Sequence, residues 1–86
     1  MKNEVFISKN PLGYTLKKRT NIEGEVTSWE DVIKGGKSFG DLVKAIVSLP
    51  LYFRTDAEVN YGRPEAPFPL TDYEKRMVKL VMEEAV

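Results

Sequence analysis

Ser38 to Arg54, SFGDLVKAIVSLPLYFR, is the densest apolar run in the chain and decides how the rest is arranged. Phe39, Leu42, Val43, Ile46, Val47 and Leu49 fall close to the i, i+3, i+4, i+7 spacing of a helix stripe. Ser38 with Asp41 forms the start pattern of that helix, and Pro50 stops it. Leu51-Tyr52-Phe53 follows as a short apolar tail, readable as a buried strand or as one more turn. The remaining segments read as material that covers this stripe.

Upstream, Glu4–Ser8 has β-type composition, Lys9–Gly13 has turn chemistry, and Tyr14–Arg19 resumes as a second strand. This predicts an antiparallel hairpin. In Tyr14–Arg19, Tyr14, Leu16 and Lys18 share one face and Thr15, Lys17 and Arg19 the other. Glu25-Val26-Thr27 is the candidate for a third strand. Ser28 reads as the N-cap of a short helix with Trp29, Val32 and Ile33 on its apolar face, ended by Gly35-Gly36.

Downstream, Asn60–Leu70 holds three of the five prolines and reads as a stiff strap, anchored through Phe68 and Leu70. Thr71 to Glu74 is a capping box opening a last helix, with a buried stripe of Tyr73, Met77, Leu80, Val81 and Ala85. Asp72 and Arg76 stand at supporting i,i+4 spacing. Glu83, Glu84 and the terminal carboxylate crowd the end where the helix dipole disfavours negative charge. A basic neighbour is therefore expected there, and Lys17-Lys18-Arg19 is the densest basic cluster. The whole is one α+β domain over residues 1–86: a hairpin, or a three-stranded sheet if 25–27 or 51–54 adds a strand, against two or three helices.

Composition narrows the function classes. The 86 residues carry 13 basic and 13 acidic side chains, so no excess positive charge draws the chain to polyanions. There is no cysteine, which removes disulfides and thiolate metal sites, and no histidine, which removes the commonest general base and metal ligand. No run approaches the ~20 apolar residues of a membrane span, and the N-terminus lacks the apolar core of a signal peptide. A cytoplasmic protein without membrane contact is expected.

Four stretches resemble functional motifs. Gly35-Gly36-Lys37-Ser38 resembles the end of a phosphate-binding loop, but Asp31 stands where its first glycine belongs, and a short helix is expected where a strand should precede it. Asp56 to Asn60 alternates oxygen ligands as a calcium loop does, yet Tyr61 occupies the glycine position and Pro67 the bidentate glutamate position, which leaves a solvated acidic loop. Arg63-Pro64-Glu65-Ala66-Pro67 has the spacing that SH3 domains read, but it lies between two apolar anchors and reads as structure. Lys17, Lys18 and Arg19 with Tyr14 nearby form a nucleic-acid candidate, weakened because the run alternates between faces.

No cofactor, no metal and no catalytic residue is expected, so the protein is not read as an enzyme. Its surplus of large apolar side chains points elsewhere. Trp29, Phe39, Leu51, Tyr52, Phe53, Tyr61 and Phe68 are many for so small an interior, and exposed aromatics are the anchors interfaces use. The expected interface is Leu51, Tyr52 and Phe53, with Trp29 and Tyr61, facing another protein or a second copy in a homodimer. The function expected is that of a small accessory, regulatory or inhibitor-like binding protein, of a kind met in bacteria and bacteriophage. The alternative is a nucleic-acid-associated regulator using Lys17, Lys18 and Arg19.

Overall fold

A computed structural model describes residues 2–25, 27–62 and 68–83. The hairpin is present and longer than its apolar core. Strand β1 (Lys2–Asn10) pairs antiparallel with β2 (Gly13–Asn21), from Lys2 opposite Asn21 to Asn10 opposite Gly13. Asn10 closes the turn by accepting the Leu12 and Gly13 amides on its Oδ1, at 2.8 and 3.1 Å.

Residues 30–37 depart from expectation. They form strand β3 (Glu30–Lys37), antiparallel to β2, and not a short helix. Isolated short helices are marginal, whereas Val32 and Ile33 are β-branched and gain a ready edge to pair with in β2. Gly35 and Gly36, read as a helix end, sit within this strand at φ of 82° and 87°, next to register shifts opposite Tyr14, Leu16 and Lys17. Of the expected third strand, Glu25 and Thr27 are not in a strand and Val26 lies outside the described residues.

Helix α1 (Phe39–Ser48) follows the expected pattern except at Val47, which is exposed. The Ser38 hydroxyl accepts the Asp41 amide at 3.1 Å, and Leu42 and Ile46 are fully buried. Leu49 before Pro50 is extended at φ −68°, ψ 143°, the conformation a residue before proline prefers. The Pro50 carbonyl then accepts the amides of Phe53 and Arg54, so Leu51–Arg54 is a one-turn helix, α2, and not a strand.

Strand β4 (Ala57–Tyr61) occupies the segment read as an acidic loop. It pairs parallel to β1, Val5 opposite Val59, and completes a four-stranded sheet of order β3-β2-β1-β4. Alternation puts Ala57, Val59 and Tyr61 towards the helices and Glu58 and Asn60 away. The polar residues that suggested a loop are its outward face.

Helix α3 (Asp72–Glu83) opens with the expected capping box. The Thr71 amide donates to Glu74 Oε1 at 2.8 Å, and the Glu74 amide to Thr71 Oγ1 at 3.2 Å. Its buried stripe is rotated from the expected one: Glu74, Val78, Val81 and Met82 face inward, while Tyr73 and Leu80 are 65% and 56% exposed. The Asp72–Arg76 pair is not among the ion pairs formed, and Ala85 lies outside the described residues. Of the strap's anchors Leu70 is buried and Phe68 exposed; the P-x-x-P residues 63–67 lie outside the described residues.

The core is one cluster. Val5, Ile7 and Leu16 from the sheet meet Leu42, Ile46 and Leu49 of α1, Phe53, Leu70, and Val78, Val81 and Met82 of α3. The opposite sheet face carries Glu4, Phe6, Ser8, Thr15, Lys17 and Arg19, and polar pairs organise it. Arg19 Nε donates to Glu4 Oε2 at 2.6 Å, Asn21 Nδ2 donates to the same oxygen, and Lys2 reaches Glu58 at 2.6 Å. Among the described residues no helix is long and apolar enough to cross a membrane.

Candidate functional site

Helix α2 is built to present side chains. Its turn buries Phe53 and Arg54 and leaves Leu51 and Tyr52 outside, at 43% and 78% exposed. Phe53, expected at an interface, is a core residue: four consecutive positions on one turn cannot all face solvent, and Phe53 falls beneath it. Its ring lies under Lys18 Nζ, 5.9 Å from the centroid.

Tyr52 and Phe53 share a cleft of about 350 Å³ with Lys18, Arg19, Ser28 and Glu30. The expected interface residues and the basic run therefore meet at one place. The meeting is partial. Lys17 points to the far sheet face, opposite Asp31, and Arg19 is tied to Glu4. Trp29 stacks on that same far face, 4.1 Å from the Arg19 guanidinium carbon and 5.8 Å from the Phe6 ring. It adjoins the cleft without facing Tyr52's side of the sheet.

Tyr61 stands elsewhere, in a groove of about 590 Å³ between β4 and α3. Val59 and Met82 give this groove an apolar floor, and Lys75, Arg76 and Lys79 line its helix side. Lys75 Nζ lies 5.3 Å from the Tyr61 ring, whose hydroxyl donates to the Lys75 carbonyl at 3.4 Å. Burial pushes the Tyr61 phenol above its ordinary pKa.

At the inner end of the groove is Arg54, 5% exposed. Its Nη1 donates to the Val81 carbonyl at 3.4 Å, so among the described residues this arginine stands at the end of α3, where a basic neighbour is expected; residues 84–86 lie outside the described residues. Sequence reasoning passed over Arg54 because it adjoins the apolar Leu51-Tyr52-Phe53. Lys75, Arg76 and Lys79 carried a readable signal, an i, i+1, i+4 basic row along one helix.

Gly35, Gly36 and Lys37 lie within strand β3, where a short helix is expected, and helix α1 follows Ser38 as expected. Gly36 is nevertheless packed against Leu12, and Asp31 remains at the first glycine position. Among the described residues no three acidic side chains gather into a set that could hold a metal.

No family model, no curated protein and no solved structure matches the chain.

Proposed function

We propose that the protein is a small non-enzymatic binding protein, an accessory or inhibitor-like regulator that works in the cytoplasm by gripping another protein or a second copy of itself. The observation that supports this most is Tyr52, 78% exposed on a turn whose next two residues are buried in the core. An aromatic ring on a rigid support loses little freedom when it docks, which is why tyrosine recurs among interface anchors. Leu51 beside it and the cleft behind it give a partner an apolar ridge and a recess.

The test begins with solution mass by light scattering across a concentration series. A dimer that Tyr52→Asp dissociates, without loss of melting temperature, supports self-recognition. A monomer whose partner, captured from extract, is lost on Tyr52→Asp supports a foreign protein. If binding in either form survives both Tyr52→Asp and Leu51→Asp, the ridge is not the site.

The second reading is nucleic-acid association through the same cleft, favoured by Lys18, Arg19 and Tyr52 sharing it. It predicts binding to a single-stranded oligonucleotide that weakens steeply with added salt, since phosphate contacts release counterions. An aromatic protein interface changes little over the same range.

A further inference from the structure

The groove between β4 and α3 has three properties that converge on one occupant. The first is a strand edge that no other strand among the described residues pairs with. The sheet order ends at β4, and the Gly62 amide donates to the Ile7 carbonyl at 3.1 Å. Alternation then turns the amides and carbonyls of Glu58 and Asn60 towards β1 and those of Ala57, Val59 and Tyr61 outward. These three residues line the groove. The opposite edge, β3, is broken by register shifts and two positive-φ glycines, devices that blunt an edge, whereas the register of β4 is uninterrupted.

The second property is charge. Arg54, Lys75, Arg76 and Lys79 line the groove with Glu83 as its one acidic lining residue among those described. The third is Arg54 itself. It is 5% exposed, and among the described residues its Nε has no hydrogen-bond partner and no carboxylate pairs with it. A desolvated guanidinium without a counter-charge is costly, and an incoming anion relieves that cost.

We propose that this groove takes an extended acidic segment of another protein, which adds to β4 as a fifth strand and presents carboxylates to α3 at every second residue. The spacing fits. Alternate residues of a strand advance about 6.6 Å, and Lys75 to Lys79 advances about 6 Å along the helix axis. Backbone pairing to Ala57, Val59 and Tyr61 holds the strand, and the lysines select its charge, the division of labour usual in strand addition. The groove does not include Leu51 or Tyr52, so this proposal stands or falls apart from the ridge on α2.

The test uses the full chain and a fluorescein-labelled peptide of alternating threonine and glutamate, about eight residues long. Fluorescence anisotropy should show saturable binding, absent for the threonine–lysine counterpart. Lys75→Glu/Lys79→Glu should weaken it at least about tenfold; Lys79→Gln serves if the double variant melts early. Methylating alternate peptide amides in one phase should abolish binding, and in the other phase leave it. Amide NMR shifts should centre on Ala57, Val59 and Tyr61, and Tyr52→Asp should leave affinity unchanged. The proposal is overturned by no binding up to about 1 mM peptide, by equal binding of both methylated phases, which would mean charge attraction alone, or by shifts centred on α2 or β3.

Discussion

Arg54 is held between two opposed influences, a helix C-terminal end that suits its charge and a burial that does not. Its single side-chain hydrogen bond among the described residues is long, at 3.4 Å, and its surroundings are Phe53, Val81 and the rest of the core. Arg54→Met keeps most of the side chain's volume and removes the desolvation cost. It should stabilise the ligand-free protein by about 1 kcal/mol, or several degrees in melting temperature. A fall in melting temperature would show that the Val81 contact outweighs that cost. Glu4 is the contrary case, a carboxylate whose partners suit it. The hydrogen bond from Arg19 holds its pKa below the ordinary carboxylate value; burial opposes this, and Asn21 and Lys2 reinforce it. A depressed folded-state pKa stabilises fully above the unfolded value, about 4.3, and that stability is lost as pH falls through the folded value. Urea midpoints of the wild type should therefore drop more steeply below about pH 4 than those of Glu4→Gln.

Among the elements, β3 is held by a backbone requirement that no larger residue meets. A Cβ on Gly36 would lie 2.5 Å from the Leu12 Cβ, whereas one on Gly35, also at positive φ, meets nothing within 4 Å. Gly36→Ala should cost about 3 kcal/mol and Gly35→Ala about 1 kcal/mol, by urea denaturation. Helix α3 offers a second comparison. Met82→Ala should cost about 2–5 kcal/mol, and Leu80→Ala should change stability by no more than about 0.5 kcal/mol. A stripe read from sequence alone ranks them the other way. The reason is instructive: α3 has apolar residues on two faces, and periodicity cannot say which one the sheet takes. The same limit hid β3 and β4. Ser28 to Ile33 has a plausible cap and dipole charges for a helix, and only the free edge of β2 makes it a strand. Asp56 to Asn60 has the polar alternation of a one-sided strand, but its parallel partner lies far away in sequence, beyond any local signal. What rests on local chemistry was legible, namely the hairpin, the Ser38 cap, the stop at Pro50 and the Thr71 capping box. The candidate site was legible only in pieces: Tyr52 and Tyr61 by type, Lys18 and Arg19 by charge. That the first joins the basic pair in one cleft while Tyr61 faces α3 is a product of topology.

The molecule as a whole is a sheet with its helices on one side. The apolar residues not needed for that single core, among them Tyr52, Tyr73, Leu80 and Val47, remain outside on the helices and connections. With 13 charges of each sign, no net repulsion keeps copies apart at neutral pH, which favours association through such residues.

The position of β1 has a consequence for how the chain comes into being. One side of β1 is satisfied by its hairpin neighbour as soon as Asn21 is made, but the other waits for β4, Ala57–Tyr61. During synthesis the nascent hairpin must therefore carry an open, apolar edge through Val5 and Ile7 until Tyr61 has left the ribosome. A chain ending at Ser48 should scatter light and form aggregates on dilution from urea under conditions where the 86-residue chain refolds clear. Strand β4 then acts within its own molecule as the late arrival that quenches a sticky intermediate.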